Sequence, residues 1–164
     1  MKILVCGLPG SGKTWLAERL LKHISNCAWY NADFVRKSSN DWDFSKEGRI
    51  RQANRMKTFA DFERSNGRWV VCDFVAPTEK AREAFAPDYI IWLDTIKEGR
   101  VVASKLSALK NIENLPFDAN LLSQSKEFED TNKVFERPSK IDVHITHFMS
   151  DNEIKKLAEE KMNV

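Results

Sequence analysis

The stretch CGLPGSGKT, from Cys6 to Thr14, constrains this chain more than any other. Gly7 to Thr14 spells G-x-x-x-x-G-K-[ST], and the stretch beginning at Cys6 stands directly behind the apolar run Ile3, Leu4 and Val5. Gly7, Gly10 and Gly12 let the backbone wrap closely around an anion, so that successive N–H groups point inward at phosphate oxygens. A helix opening at the end of the turn adds the positive end of its dipole. In such a loop the lysine reaches the β- and γ-phosphates and the threonine hydroxyl is placed to ligate Mg2+. The pattern therefore predicts nucleoside triphosphate binding by Gly7, Leu8, Pro9, Gly10, Ser11, Gly12, Lys13, Thr14 and Trp15, with Lys13 catalytic and Thr14 on the metal. ATP and Mg2+ are the expected cofactors.

The rest of the chain supplies the context such a loop needs. Strand-like runs recur at Lys2–Cys6, Cys27–Asn31, Arg68–Phe74, Tyr89–Asp94 and Ile141–Thr146. Helical periodicity falls between them. Leu16, Ala17, Leu20, Leu21 and Ile24 form one apolar stripe, and Ser45 to Asn66 carries Ile50, Ala53, Met56 and Ala60 at mostly helical spacing before Gly67. Pro77 suits the first turn of a helix running through Phe85. Ser150 followed by Glu153 reads as a capping box for the last helix. Alternating strands and helices imply right-handed crossovers and a parallel sheet covered on both faces. The expectation is one α/β domain over residues 1–164, with five parallel strands. By analogy with nucleotide kinases the sheet order is 2-3-1-4-5. Residues 111–138 break the rhythm, being polar and poorly periodic, and read as a candidate lid.

Bulk properties exclude several other classes. No apolar run approaches the ~20 residues of a membrane helix, and "MKILVC" is too short for a signal peptide. Cys6, Cys27 and Cys72 stand far apart without a C-x-x-C pair, so they read as core thiols of a reducing, cytoplasmic compartment. The formal net charge of +2 is not that of a polyanion binder. It is uneven, however: Arg36 to Lys57 holds seven Lys/Arg against three acids.

Phosphoryl transfer also needs an acceptor held in line, and in open α/β sheets ligands bind beyond the carboxyl ends of strands. The second strand ends in NADFVR. Asp33 there is a candidate for taking the acceptor's proton or holding the Mg2+ shell, and equally a candidate helix cap. The third strand ends in Asp73, a Walker-B-like carboxylate that competes with Asp33 for the metal. Asp94 reads as a cap for a helix starting near Thr95. Arg36, Arg49, Arg51 and Arg55 can clamp an anionic acceptor, although Arg51 and Arg55 at i, i+4 suit a solvated face just as well. His144 and His147 point to opposite sides of an extended strand and do not make a metal pair, and His23 reads as a solvated helix position.

Taken in order, GLPGSGKTWLA, NADFVR, DFSKEGR, FVAPTEKAR, IIWLDT and VFERP make the chain resemble the adenylylsulfate (APS) kinases through about Thr146. That family uses MgATP to phosphorylate the 3′-hydroxyl of adenosine 5′-phosphosulfate. The resemblance implies a P-loop kinase fold and an ATP-dependent phosphotransferase with an anionic, hydroxyl-bearing acceptor; it is compatible with a homodimer. The family's Asp-Gly-Asp-x-x-Arg falls on Asn31 to Arg36, giving Asp33 a catalytic and Mg2+ role and Arg36 a substrate contact. Its Gly-Phe-Ser and nearby arginine fall on Phe44 and Arg49, an adenine-stacking ring and a phosphosulfate contact by implication. Its Ile-Ser-Pro aligns with Val75, Ala76 and Pro77, and its substrate loop with Phe128 to Asn132.

Three departures lie on the acceptor side. The first acid is Asn31, an asparagine of the substrate helix is Gln52, and the lid lacks its glycine. They keep two other readings open. One is a P-loop kinase acting on another hydroxyl, such as a polynucleotide 5′-end or a hydroxymethylated pyrimidine in DNA, with nucleic acid as partner. The other is a nucleotide-binding regulator without transfer chemistry, which would tolerate loss of Asp33.

Overall fold

A computed structural model describes residues 1–96, 131 and 133–162. Among the described residues, ten elements follow one another: β1 (Lys2–Gly7), α1 (Lys13–Leu20), β2 (Cys27–Asn31), α2 (Ala32–Ser39), α3 (Lys46–Ser65), β3 (Trp69–Asp73), α4 (Glu79–Phe85), β4 (Tyr89–Leu93), β5 (Val143–Ile145) and α5 (Asp151–Met162). The strands make one parallel sheet in the order β2-β3-β1-β4-β5, as the sequence led one to expect.

The central strand explains the layering. Ile3, Leu4, Val5 and Cys6 are all fully buried, so β1 has no solvent face and must be covered on both sides. Its period of two divides the core. Ile3 and Val5 pack with Leu16, Ala17 and Leu20 of α1 and Ile154, Leu157 and Ala158 of α5. Leu4 and Cys6 pack with Val35 of α2, Ala53, Met56 and Ala60 of α3, and Ala81 and Phe85 of α4. Each large side chain so buried contributes roughly 1.5–3 kcal/mol. Among the described residues, no helix is long and apolar enough to cross a membrane.

Helix boundaries follow their caps. Asn31 caps α2 by accepting from Phe34 N at 3.0 Å, and Ser45 caps α3 by accepting from Gly48 N at 3.1 Å. Ser150 and Glu153 exchange hydrogen bonds as the capping box of α5. Pro77 departs from expectation. Thr78 accepts from Ala81 N at 3.1 Å and is the cap of α4, so the proline lies before the helix. Its carbonyl instead accepts from Glu136 N at 2.7 Å. α1 ends at Leu20, and His23 sits in the turn that follows.

The register brings the ends of three strands level. Asp73 is the Cα partner of Val5 on one side and of Asn31 on the other. The phosphate loop, Asn31 and Asp73 therefore meet at a single edge of the sheet.

Candidate active site

The turn after β1 owes its path to glycine. A Cβ on Gly7 would stand 2.5 Å from the Leu93 carbonyl oxygen, and Gly12 caps α1 at φ +95°, a left-handed conformation. Ser11 N donates to Leu8 O at 3.1 Å, and the Thr95 hydroxyl donates to Ser11 O at 2.8 Å, fastening the loop to the end of β4. Lys13 Nζ donates to Leu8 O at 2.9 Å. Burial pulls its ammonium down to about 8, against the opposing charges of Asp73 and Asp33. An anionic phosphate beside it would reverse that shift.

Behind Lys13 lies a compact polar cluster. Thr14 Oγ1 donates to Asp73 Oδ2 at 2.8 Å, Asn31 Nδ2 to the same oxygen at 2.9 Å, and Trp29 Nε1 to Asp73 Oδ1 at 2.7 Å. Asp73 is 2% exposed. Burial pushes its carboxyl above the usual range, while these three donors hold it down. Thr14 and Asp73 are an all-oxygen pair suited to a hard cation. Among the described residues no group of three or more His, Cys, Asp and Glu gathers elsewhere to hold a metal. Two protein oxygens suffice for Mg2+, which ordinarily keeps waters and substrate phosphates as its other ligands. The residues present fit that ion.

A cleft of ≈ 700 Å3 runs from the phosphate loop to the side where the sequence led one to expect the acceptor. Pro9, Gly10, Gly12, Lys13, Thr14, Trp15, Asn31, Asp33 and Asp73 line one part, and Arg36, Trp42, Phe44, Arg49, Gln52, Val75 and Thr131 the other. The expected site residues outside this lining are Gly7, Leu8 and Ser11, which shape the loop, and Phe128, which lies outside the described residues. Of the expected lid, 111–130 and 132 likewise lie outside them. Asp33 is exposed into the cleft, and because Asn31 is the cap of α2, the cap reading of Asp33 is ruled out.

The acceptor side is held by a network of charges. Arg36, only 4% exposed, donates through Nη1 to the carbonyls of Asp41 and Asp43 at 2.9 and 3.1 Å. Its guanidinium stacks on Phe44 at 4.3 Å from the ring centre. Arg49 donates to Phe44 O at 2.8 Å and to Thr131 Oγ1 at 2.9 Å, joining the aromatic to the far end of the expected lid. Arg51 and Arg55 both pair with Asp41 at 2.8 Å, and Arg51 also with Asp43. Those two guanidiniums hold the Asp41 carboxyl well below the usual carboxylate range. Gln52, 3% exposed, uses both ends of its amide: Nε2 donates to Ala32 O and Oε1 accepts from Arg55 Nη1. It ties α3 to α2 and serves as a brace. Gly48 lets the 41–45 loop lie flat, since a Cβ there would come 2.2 Å from the Asp43 carbonyl oxygen.

Sequence reasoning missed three supports. Trp29 had a signal, standing two residues before Asn31 on the same strand face. Thr131 lay inside the block aligned with the family's substrate loop. Arg82, 1% exposed, donates to Ala76 O at 2.6 Å and so fixes the left-handed turn (Ala76 φ 43°) that carries Val75; nothing local in the sequence marks it. Asp94 receives His144 Nε2 at 3.0 Å and His147 meets Glu153 at 2.8 Å, so the two histidines have separate partners.

Comparison with known proteins agrees with this fold. A family model described as "AAA domain" matches residues 3–100. A probable adenylyl-sulfate kinase from Aeropyrum pernix is 34% identical over 85 residues, which span 49% of this chain and 46% of the relative. The crystal structure of APE1195 superposes with a TM-score of 0.79 at 21% identity, covering 100% of this chain and 96% of that one. The Mycobacterium tuberculosis APS kinase CysC, solved with AMPPNP and APS, gives a TM-score of 0.65 at 21% identity, over 99% of this chain and 95% of that one. The fold is that of the P-loop kinases.

Proposed function

On the premise that the chain belongs to the AAA-domain family, we propose that it is an ATP-dependent phosphotransferase that moves a γ-phosphoryl group onto a hydroxyl, with adenosine 5′-phosphosulfate as the acceptor class. One observation carries this reading: Thr14 paired to buried Asp73 beside Lys13, in the same cleft as Asp33, Arg36 and Phe44. The 34% identity to the Aeropyrum pernix kinase supports the choice of acceptor.

The roles follow from position. Backbone N–H groups of Gly10 to Thr14 receive the phosphates, and Lys13 neutralises charge that grows on the transferred group. Thr14, Asp73 and Asp33 would hold Mg2+, which would supply positive charge to offset that of the phosphates. Asp33 takes the proton of the attacking hydroxyl. Arg36 and Arg49 hold the acceptor's anionic group, and Phe44, backed by the Arg36 guanidinium, offers a flat face to its base. The pairing of Arg51 and Arg55 with Asp41 and Asp43 weighs against a polyanionic acceptor, because two acids offset two of the four arginines.

Incubation with labelled ATP, Mg2+ and a panel of APS, mononucleosides, DNA and hydroxymethylated DNA tests this directly. Label should pass to APS. Label on DNA alone would replace the acceptor, and no labelled product with any of the panel would leave a nucleotide-binding regulator.

A further inference from the structure

Asn31 and Asp73 end adjacent parallel strands and face each other as Cα partners in the ladder. Their side chains form a closed set. Asn31 Oδ1 accepts from Phe34 N at 3.0 Å, and its Nδ2 donates to Asp73 Oδ2 at 2.9 Å while lying 3.2 Å from Thr14 Oγ1. Asp73 Oδ2 is 2.8 Å from the same Thr14 oxygen, and its Oδ1 accepts from Trp29 Nε1 at 2.7 Å. Two strand ends thus reach one hydroxyl at nearly equal distance, and only one of them carries charge.

We propose that Asn31 and Asp73 act as a single-charge pair: Asn31 is the positioning residue that turns the carboxylate toward Thr14, and the charge can sit on either strand. The inference rests on the reading of Thr14 and Asp73 as the Mg2+ site. Its physical basis is that the hydrogen-bond pattern inverts without loss. In the double exchange Asn31→Asp/Asp73→Asn, a carboxylate at position 31 accepts from Phe34 N with one oxygen and from the amide across the rung with the other. The amide at position 73 donates across the rung, and its oxygen still accepts from the Trp29 indole. No buried polar atom is orphaned. Each single change breaks the set. Asp73→Asn removes the charge, whereas Asn31→Asp sets two carboxylates about 3 Å apart, which repel unless a cation lies between them.

ADP binding and the thermal midpoint, each measured with and without Mg2+, separate the cases. The wild-type chain should bind ADP more tightly with Mg2+; if it does not, the metal-site reading falls, and the pair with it. Given that response, Asp73→Asn should lose about tenfold or more of the Mg2+-dependent strengthening. The double exchange should recover it to within about threefold of wild type. A folded double exchange no better than Asp73→Asn overturns the proposal while leaving the metal site standing. If the double exchange does not fold, Asn31→Asp alone decides. Its midpoint should drop without Mg2+ and rise on Mg2+ addition by more than the wild type's does, and an equal rise overturns the pair.

Discussion

The two ends of the cleft are built by different means. At the phosphate end the work is done by backbone: left-handed glycines, a helix N-terminus and one carboxylate at a strand end. At the acceptor end it is done by long side chains that neutralise one another, with Asp41 gathering Arg51 and Arg55 while Arg36 grips two carbonyls of the loop that carries Trp42 and Phe44. A backbone site is prescribed by residue spacing. A side-chain network depends on which of several equivalent charges pair, and that is settled only in three dimensions. The phosphate end should therefore fail sharply when a single group is removed, and the acceptor end by degrees.

The sharpest break is Lys13→Ala. It removes the cation beside the transferred group and little packing, so turnover should fall by about 10^2–10^3 with the thermal midpoint nearly unchanged. Near-normal turnover would mean that the phosphate loop does not carry the chemistry. Asp33→Asn stands next, where the two ends meet. The change is nearly isosteric and Asn31 keeps its cap on α2, so MgATP affinity should stay within a few-fold while acceptor-dependent ADP release drops by roughly 10^2. Unchanged release would move the proton-accepting role to another group and erase the distinction between Asp33 and the surface acids.

That contrast also governs how much was legible beforehand. The parallel sheet, the phosphate loop and the Asp73 position follow from periodicity and motif spacing, because burial on both faces forces continuous apolar strands and a tight anion turn forces glycine, whereas the strand order came by analogy with nucleotide kinases. The excess of seven bases over three acids between Arg36 and Lys57 was visible, yet its meaning was not. Two acids, Asp41 and Asp43, cancel two of those arginines, and Gln52 turns out to brace α2 with both ends of its amide. Nothing in the sequence marked Arg82, which is fully buried and donates to the carbonyl of the left-handed Ala76.

A smaller effect is expected where the network is cut at its centre. Asp41→Asn keeps the shape of the side chain but weakens its hold on Arg51 and Arg55, so the loop bearing Trp42 and Phe44 loses part of its restraint. The acceptor KM should rise about tenfold, as orientation is lost, while the KM for ATP stays put. Equal changes in both constants would show that the two ends are one mechanical unit.

The smallest effect tests the same residue by pH. Arg51 and Arg55 hold the folded Asp41 carboxyl well below its ordinary value of 3.8, so the folded chain keeps this site charged where the unfolded chain has begun to take up a proton. A depressed folded value means that the contribution to stability is present above the unfolded value and is lost as pH falls through the folded one. Between pH 5 and pH 3, therefore, each step down removes some stability from the wild-type chain through Asp41. Asp41→Asn has no such group and should lose less over the same interval, although it starts from a lower midpoint. Solvent and salt screen the pair, so the difference in slope should be modest and should shrink further at high ionic strength. Thermal midpoints of the two proteins across that interval, at low and high salt, provide the measurement. Parallel curves at low salt would show that Asp41 is not the centre of the acceptor-side network, and the contrast between a backbone-built end and a charge-built end would then fail.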